Sequence, residues 1–408
     1  MLFINPFIDL LTSLCIHVFH STITIGIIIR MLFIILCIYY LCFISEKKKI
    51  NKKYVIILFI YSILFAVSIY FISGISSVFY NLKELTKVFY FPIVLLTYYQ
   101  LLRYGKLCIK NRQLIQILCI YLVLLFVPFI TNTGFNSYAY SKKGEAGWFY
   151  SANEIGAILS LFFPFLFLYL RKNYKKISSL LLIAICLICI FSLGTKVPIL
   201  SLFIFLISTF IWIVYRLIRN KKIFQLISLM GLILIIGIVS VITIPKTRFY
   251  ENIQIHLKFL KVQHISEIVG DIDTIDHFIF SQRIKFFMDR KQQFKQFAFP
   301  YKLFGIGYNS FDNQSFKMVE MDYYDIYFSY GFLGFVIFFA PLFYVLFKNL
   351  DKIVKNVDFT KYMFMIGFCL ILGLSLFSGH IITSPSVSIY AALCISLLLN
   401  YNKEVYKL

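Results

Sequence analysis

Acids and cations with a chemical use gather at a few places in this 408-residue chain. Glu320 and Asp322 lie two residues apart in Val319-Glu-Met-Asp-Tyr-Tyr-Asp325, just ahead of a long apolar run, and either carboxylate is a candidate general base for a sugar hydroxyl. Asp322 and Asp325 also suit the first turn of that run, where an acid caps a helix and offsets its dipole. Three cations stand where lipid or topology disfavours charge: Arg30 inside an apolar segment, Lys196 in the turn Gly194-Thr-Lys196, and Arg283 in a polar stretch. Guanidinium and ammonium groups so placed suit a diphosphate, arginine through its bidentate fork. Arg30 has a second reading, as a snorkelling side chain or the partner of Asp9 or Glu154.

His380 follows Ser378-Gly379 at the end of an apolar segment, as a candidate helper in proton transfer or an ordinary interface residue. Asp271-Ile-Asp273 has the pattern of the aspartate pair that binds metal and nucleotide-sugar in soluble glycosyltransferases, yet it reads here as solvated loop. His17 and His20 read as packing or interface residues. With no His-x-x-x-His and no Cys/His cluster, neither a metal site nor a cofactor is expected. Eight of the nine cysteines lie in apolar segments and Cys108 in a basic loop, so no disulfide framework is indicated; Cys186-Leu-Ile-Cys189 reads as packing.

The elements that must position these groups are membrane helices. At 60% hydrophobic and 14% charged residues, with a mean hydropathy of +0.84, the chain cannot cover a water-facing surface. About twelve apolar segments of spanning length can be drawn, at 3–20, 24–44, 54–73, 86–102, 114–131, 152–170, 178–193, 197–215, 224–244, 326–347, 361–379 and 384–400. Met1–Phe19 lacks a basic leader and a small-residue cleavage site, so the first segment is expected to stay. The junctions 46–53, 103–112, 171–176, 216–222, 348–361 and 403–407 hold 23 Lys and Arg against 4 Asp and Glu, and they recur at every second junction. The positive-inside rule makes these junctions and both termini cytoplasmic. The formal charge of +22 is then largely an orientation signal with attraction to anionic lipid, and no nucleic-acid partner is called for.

The stretch 245–325 falls outside by the same count. It holds 10 of the 18 carboxylates, 11 of the 40 Lys and Arg residues and three of the six histidines. Helical spacing over 251–261 and 283–297 predicts short amphipathic helices, and Gly305-Ile-Gly307 a turn. The expected organisation is one integrated domain: a bundle over 1–244, the large loop 245–325, and three helices with a tail over 326–408. The abundance of Ile, Phe, Lys, Tyr and Asn suggests an AT-rich bacterial genome.

An ordered set of motifs carries a family likeness. Gly147-Trp-Phe-Tyr-Ser-Ala-Asn153-Glu-Ile-Gly156, Ser192-Leu-Gly-Thr-Lys196, Ser281-Gln-Arg283, Leu303-Phe-Gly-Ile-Gly-Tyr-Asn309 and Tyr327-Phe-Ser-Tyr-Gly-Phe-Leu-Gly334 resemble the O-antigen ligase and O-antigen polymerase (Wzy-type) superfamily. The resemblance implies an all-α GT-C type membrane glycosyltransferase that takes an undecaprenyl-diphosphate-linked glycan as donor, without a metal. Carried over to this chain, it makes Lys196 (where arginine is more usual) and Arg283 the diphosphate-binding cations, with Arg30 as a third candidate. Where many ligases carry His-Asn, this chain has Glu320-Met-Asp322, so Glu320 or Asp322 becomes the candidate base and His380 its helper. Trp148, Asn153, Tyr308, Asn309 and Tyr323 are candidates for the glycan itself, with Tyr301 as a further stacking ring.

The expected function is polymerisation of lipid-linked repeat units for a capsular, exopolysaccharide or O-antigen glycan, on the outer face of a bacterial cytoplasmic membrane. The alternatives are a ligase that passes the glycan to a different acceptor and, in another class, a flippase or transporter; a transporter would place its cations in a central lumen. The expected partners are the lipid-linked donor and acceptor, the bilayer, a chain-length regulator and a flippase.

Overall fold

The computed structural model describes every residue except 22–23, 139–142, 174, 222–243, 261, 263–270, 309–317, 356, 402–404 and 408. Its helices are α1 (Asn5–His17), α2 (Ile25–Tyr39, extended by a π-turn over Tyr40–Ile44), α3 (Lys48–Arg103), α4 (Asn111–Thr131) and α5 (Ala152–Asn173). There follow α6 (Ile177–Leu193), α7 (Lys196–Arg219), α8 (Arg248–Phe259), α9 (Arg283–Gln296) and α10 (Phe299–Phe304). The last are α11 (Asp322–Lys348), α12 (Leu350–Val354), α13 (Phe359–Phe377) and α14 (Pro385–Asn400). Among the described residues the only ladder is the two-residue parallel pair β1 (Ile109–Lys110) and β2 (Tyr406–Lys407).

Seven helices among the described residues are long and apolar enough to cross a membrane, and α6 and α14 are shorter apolar helices of 17 and 16 residues. Their outer faces keep large apolar groups uncovered, such as Phe71 at 69% and Phe79 at 72% exposure, which hydrocarbon tolerates and water does not. The protein is an all-α multi-pass membrane protein.

Two compact units divide the chain: Met1–Lys110 with Ile268–Lys407, and Asn111–Glu267. The stretch 245–325 therefore supplies helices to both, α8 to the second and α9 and α10 to the first. Both amphipathic helices form where the spacing predicts them.

In the first unit α14 is the axis, with every side chain from Ser386 to Leu399 buried, as expected of a helix that is apolar all round. Its small residues allow close approach to α3, and Ser396 Oγ donates to Leu95 O at 3.5 Å. The segments drawn at 54–73 and 86–102 run together as α3, 56 residues broken at Gly74, whose φ of 76° and ψ of 178° leave helical space. Gln100 Nε2 donates to Asn51 Oδ1 at 3.0 Å, and the rings of Tyr61 and Phe89 meet edge-on 5.9 Å apart. These contacts fold the second limb back along the first, so one glycine makes the hairpin and residues 75–85 are helical.

The first drawn segment, 3–20, becomes a helix of 13 residues. At about 1.5 Å per residue it falls short of a ~30 Å hydrocarbon core. Pro6 opens it, and its buried Asn5 and Asp9 belong to a polar cluster rather than to lipid. Nearly all of the drawn segment 224–244 lies outside the described residues.

Candidate active site

Arg283 is the first residue of α9, and Asp276 prepares its place. The Asp276 carboxylate accepts from Ile284 N and Lys285 N, both at 2.9 Å, which satisfies free amides at the start of the helix. Asp276 is therefore a buried cap. From there Arg283 Nη1 donates to Phe377 O at 2.9 Å and Nη2 to Glu320 Oε2 at 3.2 Å.

Glu320 reaches Arg283 because Asp325 holds the chain on either side of it. Asp325 accepts from Val319 N at 2.9 Å and from Met321 N at 3.1 Å, so residue 320 bulges with a φ of 60°. Glu320 keeps 35% of its side chain exposed, and among the described residues only Oε2 has a partner. Asp322 is differently placed. Its carboxylate accepts from His380 N at 2.6 Å, Ile381 N and Ile382 N at 2.9 Å and Thr383 Oγ1 at 2.6 Å, which fills its acceptor positions and fastens the α13–α14 turn to the start of α11. His380 is half-buried in that turn with a φ of 58°, and Gly379 beside it packs on the Glu320 backbone, where a Cβ would strike the carbonyl.

Seven non-glycine residues among those described have a positive φ, and four of them belong to this site: Glu320 itself and its neighbours Ser281, Gln282 and His380. Each such backbone costs on the order of 1–3 kcal/mol, and such strain is concentrated at working sites.

Behind the pair, α11 is broken at Gly331, whose φ is 69°. Gly305 and Gly331 pack backbone to backbone, closer than any side chain would permit. The freed carbonyls find partners: Tyr61 donates to Tyr330 O at 2.6 Å, Ser68 to Gly305 O at 3.1 Å, and Gly307 N to Ser329 O at 2.9 Å. Arg290 lies two helical turns from Arg283 on α9 and donates to Gly307 O at 2.7 Å; burial lowers its guanidinium pKa, against the pull of Asp325 and Tyr308. Tyr308 N donates to Asn81 Oδ1 at 2.8 Å, and burial pushes the Tyr308 hydroxyl up.

A groove of about 610 Å³ runs between α9 and α11. Phe287, one turn beyond Arg283, lines it with Phe294, Tyr323 and Tyr327, while Lys291 and Lys295 stand in its wall. Leu376, next to the Phe377 that accepts from Arg283, closes one side.

Arg30 is matched by charge elsewhere in this unit. It pairs with Asp9 and donates to Asn5 Oδ1 at 3.2 Å and Ser386 Oγ at 3.1 Å, tying α1, α2 and α14 together. Asn309 lies outside the described residues.

The second unit holds the remaining candidates. Gly194, with a φ of 66°, ends α6, and Lys196 opens α7, a place where the helix dipole disfavours a cation and no acid sits in the first turn. Asn252 of α8 clasps this turn: it accepts from Lys143 N at 2.7 Å and donates to Gly194 O at 3.1 Å. Gly156 packs against Pro198, with Asn153 one turn earlier on α5, and Trp148 donates to Thr133 at 3.1 Å.

A family profile described as O-antigen ligase like membrane protein matches residues 1–268 and 267–405. The chain belongs to this family. Membership indicates processing of lipid-linked glycan. No curated protein and no solved structure matches it. Within this O-antigen ligase like chain, Asp276 and Arg290 are the site residues that sequence reasoning passed over, while Asp325, expected as a helix-capping acid, instead holds the backbone on both sides of Glu320. Only Arg290 left a signal, seven residues from Arg283 on one helical face.

Proposed function

We propose that this O-antigen ligase like protein polymerises polyprenyl-diphosphate-linked repeat units of a surface polysaccharide, by glycosyl transfer at the Arg283–Glu320 pair. The acceptor hydroxyl oxygen forms a bond to the anomeric carbon of the donor sugar, the bond from that carbon to the diphosphate oxygen breaks, and the electron pair leaves with the diphosphate. Glu320 takes the hydroxyl proton, and Arg283 carries the charge that builds on the leaving group. At rest the two hold each other; a diphosphate competes for the guanidinium fork and frees the carboxylate. Asp322, with its acceptor positions filled, serves as a positioning residue that holds His380 beside the pair.

The observation that carries this reading is the Arg283–Glu320 pair, 3.2 Å apart, with Glu320 itself and three neighbouring residues in strained backbone, one helical turn from the Phe287 that lines an apolar groove suited to a lipid tail. Within the second unit, the proposal gives Lys196 its own role as a diphosphate-binding cation and Asn153 and Trp148 roles as glycan contacts. The excess of Lys and Arg at the other end of these helices supports an orientation with the site outside the cell. The family description itself favours the second reading, a ligase with a different acceptor.

Purified protein in detergent, given a lipid-diphosphate repeat unit, separates the readings. A ladder of products is expected; one transfer to another acceptor would make it a ligase, and no new glycosidic bond would reject both.

A further inference from the structure

At the opposite end of the first unit lies a second cavity, of about 540 Å³, bounded by the ends of α3 and α14, the start of α13 and the short helix α12. Its lining includes four cations, Arg103, Lys352, Lys355 and Lys361, and two acids, Asp351 and Asp358. Two of these six are already engaged. Lys361 donates to Lys352 O and, at 2.7 Å, to Lys355 O, while Asp358 accepts from Lys361 N at 2.8 Å and Tyr401 Oη at 3.0 Å. Arg103 stacks on and donates to Tyr99, but among the described residues neither it nor Lys352 nor Lys355 has an ion-pair partner. Among the described residues, three exposed cations thus face one uncommitted acid, Asp351, over an apolar floor of Leu102, Leu398 and Leu399.

We propose that this cavity holds the phosphate of an anionic phospholipid. The neighbouring surface favours a lipid over a soluble anion. Leu350 and Val354, four residues apart on one face of α12, are 49% and 72% exposed, and Phe347 just before them is 70% exposed. Such side chains belong in hydrocarbon, which sets the cations beside them at headgroup depth, with acyl chains free to run along the apolar face. The cavity is separate from the Arg283–Glu320 site, and the proposal does not depend on what that site does.

Native mass spectrometry of the full chain in neutral detergent, with phosphatidylglycerol or phosphatidylcholine added, tests the assignment. The wild type is expected to retain phosphatidylglycerol over phosphatidylcholine. The triple variant Arg103→Ala, Lys352→Ala, Lys355→Ala should weaken that retention by at least about tenfold, given the contribution of each basic residue. Lys48→Ala with Lys49→Ala, which removes exposed cations outside the cavity, should leave it unchanged. Equal retention of the two lipids, or equal losses in the two variants, would overturn the site. Full displacement of the lipid by millimolar inorganic phosphate would make it a soluble-anion site and overturn it too. Lys352→Gln and Lys355→Gln singly give the same reading should the triple variant fail to fold.

Discussion

Glu320 Oε2 lies 3.2 Å from Arg283 Nη2, a contact between residues 37 apart in sequence. Each partner is held by a different aspartate, Asp325 on one side and Asp276 on the other. The pair is a positioned one. Two exposed side chains that merely met would lack this framework.

Glu320→Gln should lower glycosyl transfer by about 10²–10⁴-fold, the usual worth of a general base. Its carboxylate is 35% exposed, so the ion pair itself adds less than about 1 kcal/mol and thermal stability should barely change. Product ladders and a melting curve on the same preparation check both halves; a full-length ladder from the variant removes Glu320 from the chemistry.

Arg283→Lys keeps the charge but cannot reach Phe377 O and Glu320 with one planar fork. We expect donor KM to rise about tenfold or more, with Arg283→Ala worse by a further order of magnitude. Steady-state kinetics against donor concentration decide this, and an unaltered KM in Arg283→Lys would speak against diphosphate contact.

Asp322→Ala would leave three backbone amides and one hydroxyl without their acceptor in a buried site. At about 1–3 kcal/mol per unsatisfied donor the loss is several kcal/mol. A fall in the melting midpoint larger than that for Glu320→Gln is the expected sign, and Asp322→Asn, which keeps acceptor oxygen, should recover part of it.

Gly331→Ala combines a φ of 69° with a Cβ driven into the Leu303 and Gly305 backbone. The backbone conformation alone costs about 1–2 kcal/mol, and the clash adds to it. Detergent-solubilised yield and melting temperature should both drop, whereas Gly373→Ala, where a Cβ meets nothing within 4 Å, should be neutral and serves as the control.

In the second unit, Asn252→Ala removes the clasp on Lys143 and on the Gly194 turn. A stability loss on the order of 2–4 kcal/mol is expected from three hydrogen bonds. Hydrogen exchange over 192–198 should quicken in this variant, and unchanged protection there would show that the turn holds without it.

Membrane segments were legible because hydropathy is local: each run of apolar residues declares itself without reference to any other. Arg283, Lys196 and Glu320 could be picked out on the same terms, through residue type and family motif. What sequence alone could not separate was Glu320 from Asp322. They differ by two positions and one methylene, and the distinction lies in which partners each meets. Asp322 meets the turn at 380–383, about sixty residues away, and is used up there; Glu320 meets Arg283 through one oxygen, and among the described residues its other oxygen has no partner. Gly74 is a similar case, since a glycine between two apolar runs reads equally as part of a loop or as the single hinge that turns α3 on itself.

By itself, then, the sequence determined that this is a helical, multi-pass membrane chain with its unusual charges at particular places, since composition and spacing act over a few residues. Only the tertiary structure decided which of those charges neutralise one another, as Arg30 and Asp9 do, which become scaffolding, as Asp276, Asp322 and Asp325 do, and which are left poised, as Arg283 and Glu320 are. The reason is physical: the state of a buried charge depends on the groups within about 4–6 Å of it, and for Arg30, Asp322, Arg283 and Glu320 those groups come from distant parts of the sequence, while Asp276 and Asp325 are taken up by amides of their own segments.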